Sequence, residues 1–124
     1  MIIGVGTDIV EIKRIEELSK KPGFEGKIYT EGELSYAKEC GHYHSALAAR
    51  FAAKEAAVKA LGHGFSGWPL QCVEVGKRAL GLPYLILHGE AKLFAEKLGV
   101  SHLHLSLSHS ENNAIAVVVA EKQD

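Results

Sequence analysis

The sequence has few of the residues that would indicate a disulfide framework, a membrane or a cysteine metal site. Its 124 residues include only two cysteines, Cys40 and Cys72, which are far apart and outside any CxxC motif. No apolar run approaches the roughly 20 residues of a membrane helix. The segment MIIGVGTDIV lacks the basic region and small-residue cleavage site of a signal peptide. We expect free thiols in a reducing compartment, a cytoplasmic location and no membrane partner.

An excess of one charge is also lacking. The chain has 14 lysines and arginines against 15 aspartates and glutamates, for a net charge of -1, which gives no general attraction to nucleic acid. A content of 47% hydrophobic and 23% charged residues is typical of a globular protein. The length fits one domain over 1–124, and it is small enough for self-association to bury part of the apolar surface.

The order of apolar and polar residues predicts strands and helices without a linker or a repeat. The predicted strands are 2–12, 71–76, 83–88, 102–109 and 114–121, and the predicted helices are 13–20, 31–40, 43–61 and 90–98. We expect the first strand to be central and buried, 62–69 to be a loop, and the last two strands to form a hairpin. Thr30 and Glu33 have the spacing of a capping box. The fold class predicted is α+β, one compact domain in which a largely antiparallel sheet packs on one long alanine-rich helix plus shorter helices.

Asp8 is the first candidate for a chemical role, because it stands in an apolar segment without a basic residue before it. An ionised carboxylate there is costly unless it is paired or binds a metal. The alternative is a carboxylate at a strand end that accepts backbone N–H bonds. Gly4 and Gly6 do not complete a GxGxxG motif, since Ile9 occupies the third position. The two glycines indicate instead a close backbone approach by a neighbouring element.

Glu55 and Lys59 lie four residues apart on the long helix and therefore share a face. The ordinary interpretation is a solvated ion pair. The surrounding alanines, however, leave room for a close neighbour, which is either another helix or a ligand that carries phosphate. A carboxylate that holds a metal, beside an amine that neutralises phosphate oxygens, suits a magnesium–phosphate ligand.

His109 ends a strand with the same parity as the leucines that precede it. It is either a half-exposed residue that caps the core, or a phosphate contact or proton-transfer group at the mouth of a cleft. The other histidines form no clear ligand cluster. The basic residues of the N-terminal half, which include Lys13, Arg14 and Arg50, form either a solvated helix face or a patch for an acidic partner.

Four stretches in order resemble the holo-acyl-carrier-protein synthases, the short-chain 4′-phosphopantetheinyl transferases. They are Gly4-x-Gly6-x-Asp8-Ile9-x-x-Ile12-x-Arg14-Ile15, Phe24-x-x-Lys27-Ile28-Tyr29-Thr30-x-x-Glu33, Arg50-Phe51-Ala52-Ala53-Lys54-Glu55-Ala56-x-x-Lys59-Ala60-Leu61-Gly62 and Leu105-Ser106-Leu107-Ser108-His109-Ser110. The third stretch is the most specific. One departure is Lys27, where the family usually has arginine, because lysine cannot make a bidentate contact.

The resemblance implies transfer of the phosphopantetheine arm of coenzyme A to a serine of acyl carrier protein, with release of 3′,5′-ADP, in support of fatty acid biosynthesis. Asp8 and Glu55 match the ligands of Mg²⁺, with Mn²⁺ as an alternative ion, and Lys59 matches a lysine near the phosphates. His109 matches a histidine near coenzyme A, and Gly62 and Ser110, the last residues of the third and fourth stretches, are further predicted binding positions. Basic positions that face the carrier protein are matched by Lys13, Arg14 and Arg50. The family's short members are homotrimers with the site between subunits.

The general base is open between Glu55 and His109 at this stage. Three other functions also fit parts of the pattern. A non-catalytic module that binds coenzyme A or a nucleotide would not need both Asp8 and Glu55. A small thioesterase or dehydratase would wrap a sheet around one long helix but would need no metal. A structural interaction protein would explain none of the three residues Asp8, Glu55 and Lys59.

Overall fold

The structure, a computed structural model, describes residues 1–62 and 67–124. The strands are β1 (Ile2–Glu11), β2 (Val73–Lys77), β3 (Pro83–Leu87), β4 (His102–His109) and β5 (Asn113–Glu121). The helices are α1 (Ile12–Ser19), α2 (Phe24–Ile28), α3 (Glu31–Glu39), α4 (Tyr43–Ala60) and α5 (Gly89–Leu98), with a 3₁₀ turn at Leu70–Cys72. The predicted α+β class is confirmed. The predicted loop at 62–69 falls partly outside the described residues.

The strands form two antiparallel sheets rather than the one sheet expected. The larger sheet has the order β1-β5-β4, and the smaller one pairs β2 with β3. The hairpin predicted for the last two strands is confirmed as β4 and β5. The smaller sheet begins two residues later than predicted, because Leu70–Cys72 takes up a 3₁₀ turn after Pro69.

The prediction that the first strand is central and buried is wrong. β5 is the central strand, and β1 lies at one edge of the sheet. One face of β1 packs on α4, whereas the other face leaves Val5 and Ile9 more than half exposed. The almost wholly apolar sequence of this segment therefore predicted a strand correctly. It did not show which face of the strand is buried in this single chain.

Helix α4 is the centre of the core, and its alanines meet the backbone of the sheet. Ala56 and Ala60 are buried against Gly4 and Gly6 of β1. A Cβ atom on Gly6 would stand 1.9 Å from the carbonyl oxygen of Ala56, and one on Gly4 would stand 1.8 Å from that of Ala60. The close approach predicted from the two glycines is confirmed. The alanines thus accommodate the sheet and are not by themselves a sign of a ligand.

The helix boundaries follow the local signals in the sequence. The Thr30 hydroxyl accepts the Glu33 backbone N–H at 3.2 Å, and the Glu33 carboxylate accepts the Thr30 N–H at 2.9 Å, so the predicted capping box is confirmed. Helix α4 ends before Gly62, whose φ of +74° favours glycine. None of the helices in the described part of the chain is long and apolar enough to cross a membrane.

Candidate active site

Asp8, Glu55 and Lys59 come together where β1 crosses α4. Asp8 shares the helix-facing side of β1 with Gly4 and Gly6, so the close approach of the glycines brings its carboxylate to the helix. The Lys59 amine donates to the Asp8 carboxylate at 3.2 Å and to the Thr7 carbonyl at 2.9 Å. The Lys59 side chain is half exposed, whereas that of Asp8 is mostly covered. The three predicted residues therefore form one cluster, which we call the Asp8 cluster.

The pKa of Glu55 is raised by burial, and further by the negative charge of Asp8, while Lys59 acts in the opposite sense. A cation bound between two neighbouring carboxylates offsets the repulsion between their negative charges. The oxygen donors of Asp8 and Glu55 suit Mg²⁺, which commonly takes one or two carboxylates and completes its shell with phosphate and water. Residues 1–62 and 67–124 contain no group of three or more His, Cys, Asp or Glu side chains placed to hold a metal. The donor set thus fits an ion that is shared with a phosphate ligand rather than a metal held by protein groups alone.

The helix that follows β1 presents two basic side chains to solvent. Lys13 and Arg14 are exposed on α1, next to the end of β1 that carries Asp8. Gly62 is also exposed, one turn beyond Lys59. The positive φ of Gly62 accounts for a glycine at this helix end, independently of any ligand.

Arg50 lies in the interior, where only 4% of its surface is accessible. Its guanidinium stacks on the Tyr36 ring at 4.1 Å, and it donates to the Ala46 carbonyl at 3.4 Å. This burial leaves Arg50 little surface for a carrier protein, and its contact with that partner stays a prediction. Arg50 lines a cavity of about 240 Å³, the Arg50 cavity, together with Tyr36, Cys40, His42, Lys77 and His109.

The Arg50 guanidinium lacks a full set of partners. Its Nε atom is buried without a hydrogen bond, and none of the described carboxylates forms an ion pair with it. Burial lowers the pKa of Arg50, while Tyr36, Glu33 and Cys40 oppose that shift. A buried cation without a counter-ion costs free energy, and an anionic ligand in the cavity would offset this cost.

His109 lies at the end of β4 and lines the Arg50 cavity beside Leu107, as its parity predicts. Its ring is exposed, and Nδ1 lies 3.4 Å from the Ser110 carbonyl oxygen. The Ser110 hydroxyl accepts the backbone N–H groups of Asn112 and Asn113, so in this chain it holds the turn of the hairpin.

The structure divides the predicted site residues between two places. Asp8 lies on β1 and His109 on β4, at opposite edges of the sheet with β5 between them. Two strand spacings of about 4.8 Å put their Cα atoms roughly 10 Å or more apart. The Asp8 cluster and the Arg50 cavity are therefore separate within one chain.

Reasoning from the sequence missed a second carboxylate–amine pair, Glu33 and Lys54. Both side chains are completely buried, and they meet at 2.8 Å. The Lys54 amine also donates to the carbonyls of Leu70 and Val73, and Glu33 also accepts the Val75 N–H. Burial lowers the pKa of Lys54, and the attraction of Glu33 opposes this shift. The helical spacing of Lys54 with the apolar residues Leu47, Val58 and Leu61 was the signal that could have shown its burial.

The comparisons with known proteins agree with one another. The model of the 4′-phosphopantetheinyl transferase superfamily matches residues 4–118. A holo-[acyl-carrier-protein] synthase of Clostridium kluyveri is 46% identical over 98% of this chain and 91% of its own length. The crystal structure of such a synthase from Neisseria meningitidis has a TM-score of 0.88 at 44% identity, covering 98% of this chain and 100% of that one.

A further solved structure adds a ligand to the comparison. It is a holo-(acyl-carrier-protein) synthase from Bacillus anthracis in complex with coenzyme A (3′,5′-ADP), with a TM-score of 0.81 at 37% identity and 99% of both chains covered. The family indicated by the four sequence stretches is therefore confirmed. This chain belongs to the holo-[acyl-carrier-protein] synthase family of the 4′-phosphopantetheinyl transferase superfamily.

Proposed function

We propose that this chain transfers 4′-phosphopantetheine from coenzyme A to a serine of apo acyl carrier protein in the cytoplasm, releases 3′,5′-ADP and thereby supports fatty acid biosynthesis. The observation that carries the proposal is the Asp8 cluster, in which two carboxylates and an amine meet near Lys13 and Arg14, two exposed basic residues of α1. In the reaction, the serine oxygen forms a bond to the phosphorus that bears the pantetheine arm. The bond from that phosphorus to the oxygen of 3′,5′-ADP breaks, and the serine proton is transferred to a base.

Asp8 and Glu55 are the residues that would hold Mg²⁺, or Mn²⁺ in its place. When bound, such an ion would neutralise pyrophosphate oxygens, which is much of what phosphoryl-type transfer requires. In this structure the Lys59 amine pairs with Asp8. In the complex the half-exposed amine turns to the phosphates and stabilises the charge that develops on the leaving 3′,5′-ADP.

We place a phosphate of the nucleotide half of coenzyme A in the Arg50 cavity. The support is the buried guanidinium with a free Nε and without a carboxylate partner, together with Lys77 and His109 on the same walls. Arg50 then neutralises a phosphate rather than a carboxylate of the carrier protein. Ser110, which follows His109 of the Arg50 cavity, and Gly62, which follows Lys59 of the Asp8 cluster by one turn, remain predicted contacts of coenzyme A.

The carrier protein is proposed to dock on α1. Lys13 and Arg14 are exposed there, and they follow β1 directly, so an acidic protein held by them presents its serine near Asp8. Charge complementarity of this kind steers association and fixes orientation.

We propose a homotrimer with each active site between two subunits. The side of the larger sheet that faces away from α4, which we call the outer face, leaves Val5, Ile9, Ile115 and Val117 exposed in one chain. A contiguous apolar sheet face of this kind is typical of an interface. Association over the outer face would also place the Asp8 cluster of one subunit near the Arg50 cavity of another. Within one chain these two sites are separate. Light scattering should give three times the 13.4 kDa of one chain.

Glu55 is the base that we favour over His109. Glu55 shares a cluster with Asp8 and Lys59, which is the place proposed for the reacting phosphate. His109 lies across β5 and faces the Arg50 cavity. The pH–rate profile of His109→Ala should therefore keep every titration step of the wild-type profile. Loss of one step would make His109 the base.

The deciding experiment incubates apo carrier protein with coenzyme A and this chain, with and without a chelator, and follows the carrier protein by mass spectrometry. The expected result is a mass increase equal to the mass of the phosphopantetheine arm. This increase should require divalent metal. A carrier protein whose acceptor serine is replaced by alanine is the control. An unchanged mass in the presence of metal would favour the non-catalytic binding module, and turnover in the chelator would contradict the metal assignment.

A further inference from the structure

Cys40 is the one thiol, among the described residues, that lines the Arg50 cavity. It stands at the end of α3, half buried, and its Sγ atom accepts the backbone N–H of His42 at 3.4 Å. The thiol also donates to the Ala37 carbonyl at 3.4 Å. The other cysteine, Cys72, lies beside Gly89 at the start of α5, outside this cavity.

A second observation shows that the cavity around Cys40 suits an anion. Arg50 is more than nine-tenths buried, and its Nε has no hydrogen-bond partner in the described part of the chain. Lys77, His42 and His109 line the same cavity, and the Lys77 amine donates there to the Tyr36 hydroxyl. A positive cleft raises the local concentration of anions, and thiolates beside Arg, Lys or His groups are the ones that react with disulfides.

We propose that Cys40 is a modification site for anionic low-molecular-weight disulfides, and that its modification excludes coenzyme A from the Arg50 cavity. The second half of this statement rests on the proposed function. The Cys40 thiolate attacks one sulfur of the disulfide, a bond forms between Sγ and that sulfur, and the S–S bond breaks. The other half leaves as a thiolate, which takes up a proton from water, so no further oxidant is needed. Attack by a free thiol on the mixed disulfide restores Cys40.

The size of the cavity explains why modification and ligand binding exclude each other. A volume of about 240 Å³ equals roughly eight water molecules of the liquid. A substituent on Sγ would occupy this space and bring its own anionic group near the positive charge of Arg50. The phosphate that we place there would lose both its room and its counter-ion.

The experiment compares two full-length variants that each keep one cysteine. Cys72→Ser leaves Cys40, and Cys40→Ser leaves Cys72 as the matched control. Each is treated with the anionic aromatic disulfide dithiobis(nitrobenzoate) and with neutral dithiodipyridine, and the released chromophore gives the rate. The ratio of the anionic to the neutral rate should be about tenfold higher for Cys40 than for Cys72, because only Cys40 lies in the positive cavity.

Adding 3′,5′-ADP supplies the second measurement. At saturation it should slow the reaction of Cys40 with the anionic reagent by about tenfold and leave Cys72 unchanged. Equal charge preference at the two cysteines would overturn the modification site. Unchanged reactivity of Cys40 in the presence of 3′,5′-ADP, with the carrier protein still modified in the mass assay, would overturn the mutual exclusion. If the carrier protein is not modified but Cys40 keeps its preference for the anionic reagent, the proposed function is rejected and only the thiol site is supported.

Discussion

Two carboxylate–amine groups are built from neighbouring residues of α4, and their environments are opposite. Lys54 points to the interior and meets Glu33 with both side chains completely buried, whereas Glu55, the next residue, joins Asp8 and Lys59 at the surface. A step of about 100° around the helix axis separates the two side chains. The phase of the helix therefore decides which charged residue belongs to the core and which to the site.

The two groups also differ in how completely their polar atoms are satisfied. The Lys54 amine has three acceptors, and both oxygens of Glu33 accept hydrogen bonds, so this pair has no capacity left for a ligand. In the Asp8 cluster the Lys59 amine pairs with Asp8, and Glu55 beside them is disfavoured in its charged form. A saturated pair stabilises a fold, whereas an unsaturated one can bind a cation or a phosphate.

Lys54→Met gives the largest effect that we expect. It leaves Glu33 buried without its counter-charge, which should lower the free energy of unfolding by about 3–5 kcal/mol. Urea unfolding followed by circular dichroism measures this change. Adding Glu33→Gln removes the unpaired charge and should recover part of the loss. The matched control is Lys59→Met, which breaks a pair whose lysine is half exposed and should cost no more than about 1 kcal/mol. Equal losses for the two lysines would contradict the contrast between the groups.

Glu55→Gln should act on transfer and not on stability. We expect the rate of carrier-protein modification to fall by roughly 100- to 1,000-fold, because a charged group that stabilises the transition state is lost. The free energy of unfolding should stay the same or rise slightly, since burial and Asp8 disfavour the ionised carboxylate in the folded chain. Glu39→Gln, an exposed substitution on α3, is the control. Full turnover by Glu55→Gln would remove this residue from the site.

Gly6→Ala tests whether the close contact of β1 and α4 assembles the Asp8 cluster. The added Cβ would meet the Ala56 carbonyl oxygen at 1.9 Å, so strand and helix must separate at a cost of about 1–3 kcal/mol. Transfer should fall as well, because β1 carries Asp8. Gly26→Ala is the control, since nothing lies within 4 Å of its added Cβ. Equal melting temperatures for the Gly6 and Gly26 variants would show that the close contact of β1 and α4 does not limit stability.

The smallest effect concerns Glu74, whose side chain is 21% exposed, close to the 19% of Asp8. Burial raises its pKa, but hydrogen bonds from His88 at 2.8 Å and Thr30 at 2.8 Å outweigh this, so the pKa lies below 4.5. A lowered folded-state pKa contributes stability above the unfolded value that is lost as the pH falls through the folded one. His88→Ala should therefore cost less than about 1 kcal/mol at neutral pH, with the difference from wild type shrinking below about pH 4.5. Thermal melts across this range measure it.

His104→Ala is the reference for that measurement. His104 meets Glu121 at 2.9 Å, a distance similar to that in the His88 pair, but it does so at a more exposed position. Its removal should change the melting temperature less than removal of His88 does. The opposite order would show that burial does not govern the strength of these pairs.

Most of the fold could be predicted because its signals are local. The capping box of Thr30, the glycine at the end of α4 and the alternation of β4 each act within a few residues. Asp8, Glu55 and Lys59 were identified by two separate stretches that resemble the family, Asp8 in the first and the other two residues in the third. The edge position of β1 could not be predicted, because pairing with β5 joins residues more than one hundred positions apart. The burial of Arg50 likewise depends on contacts with α3 and the smaller sheet.

By itself the sequence determined the family, the elements and the chemical groups available, since all three depend on residue type and spacing along the chain. Only the tertiary structure decided how those groups are used. It paired Lys54 with Glu33, brought Asp8 and Lys59 together beside Glu55, and enclosed Arg50 in a cavity with Cys40 and His109. The reason is physical: the cost of burying a charge depends on its partners in space, and neighbours along the chain do not specify those partners.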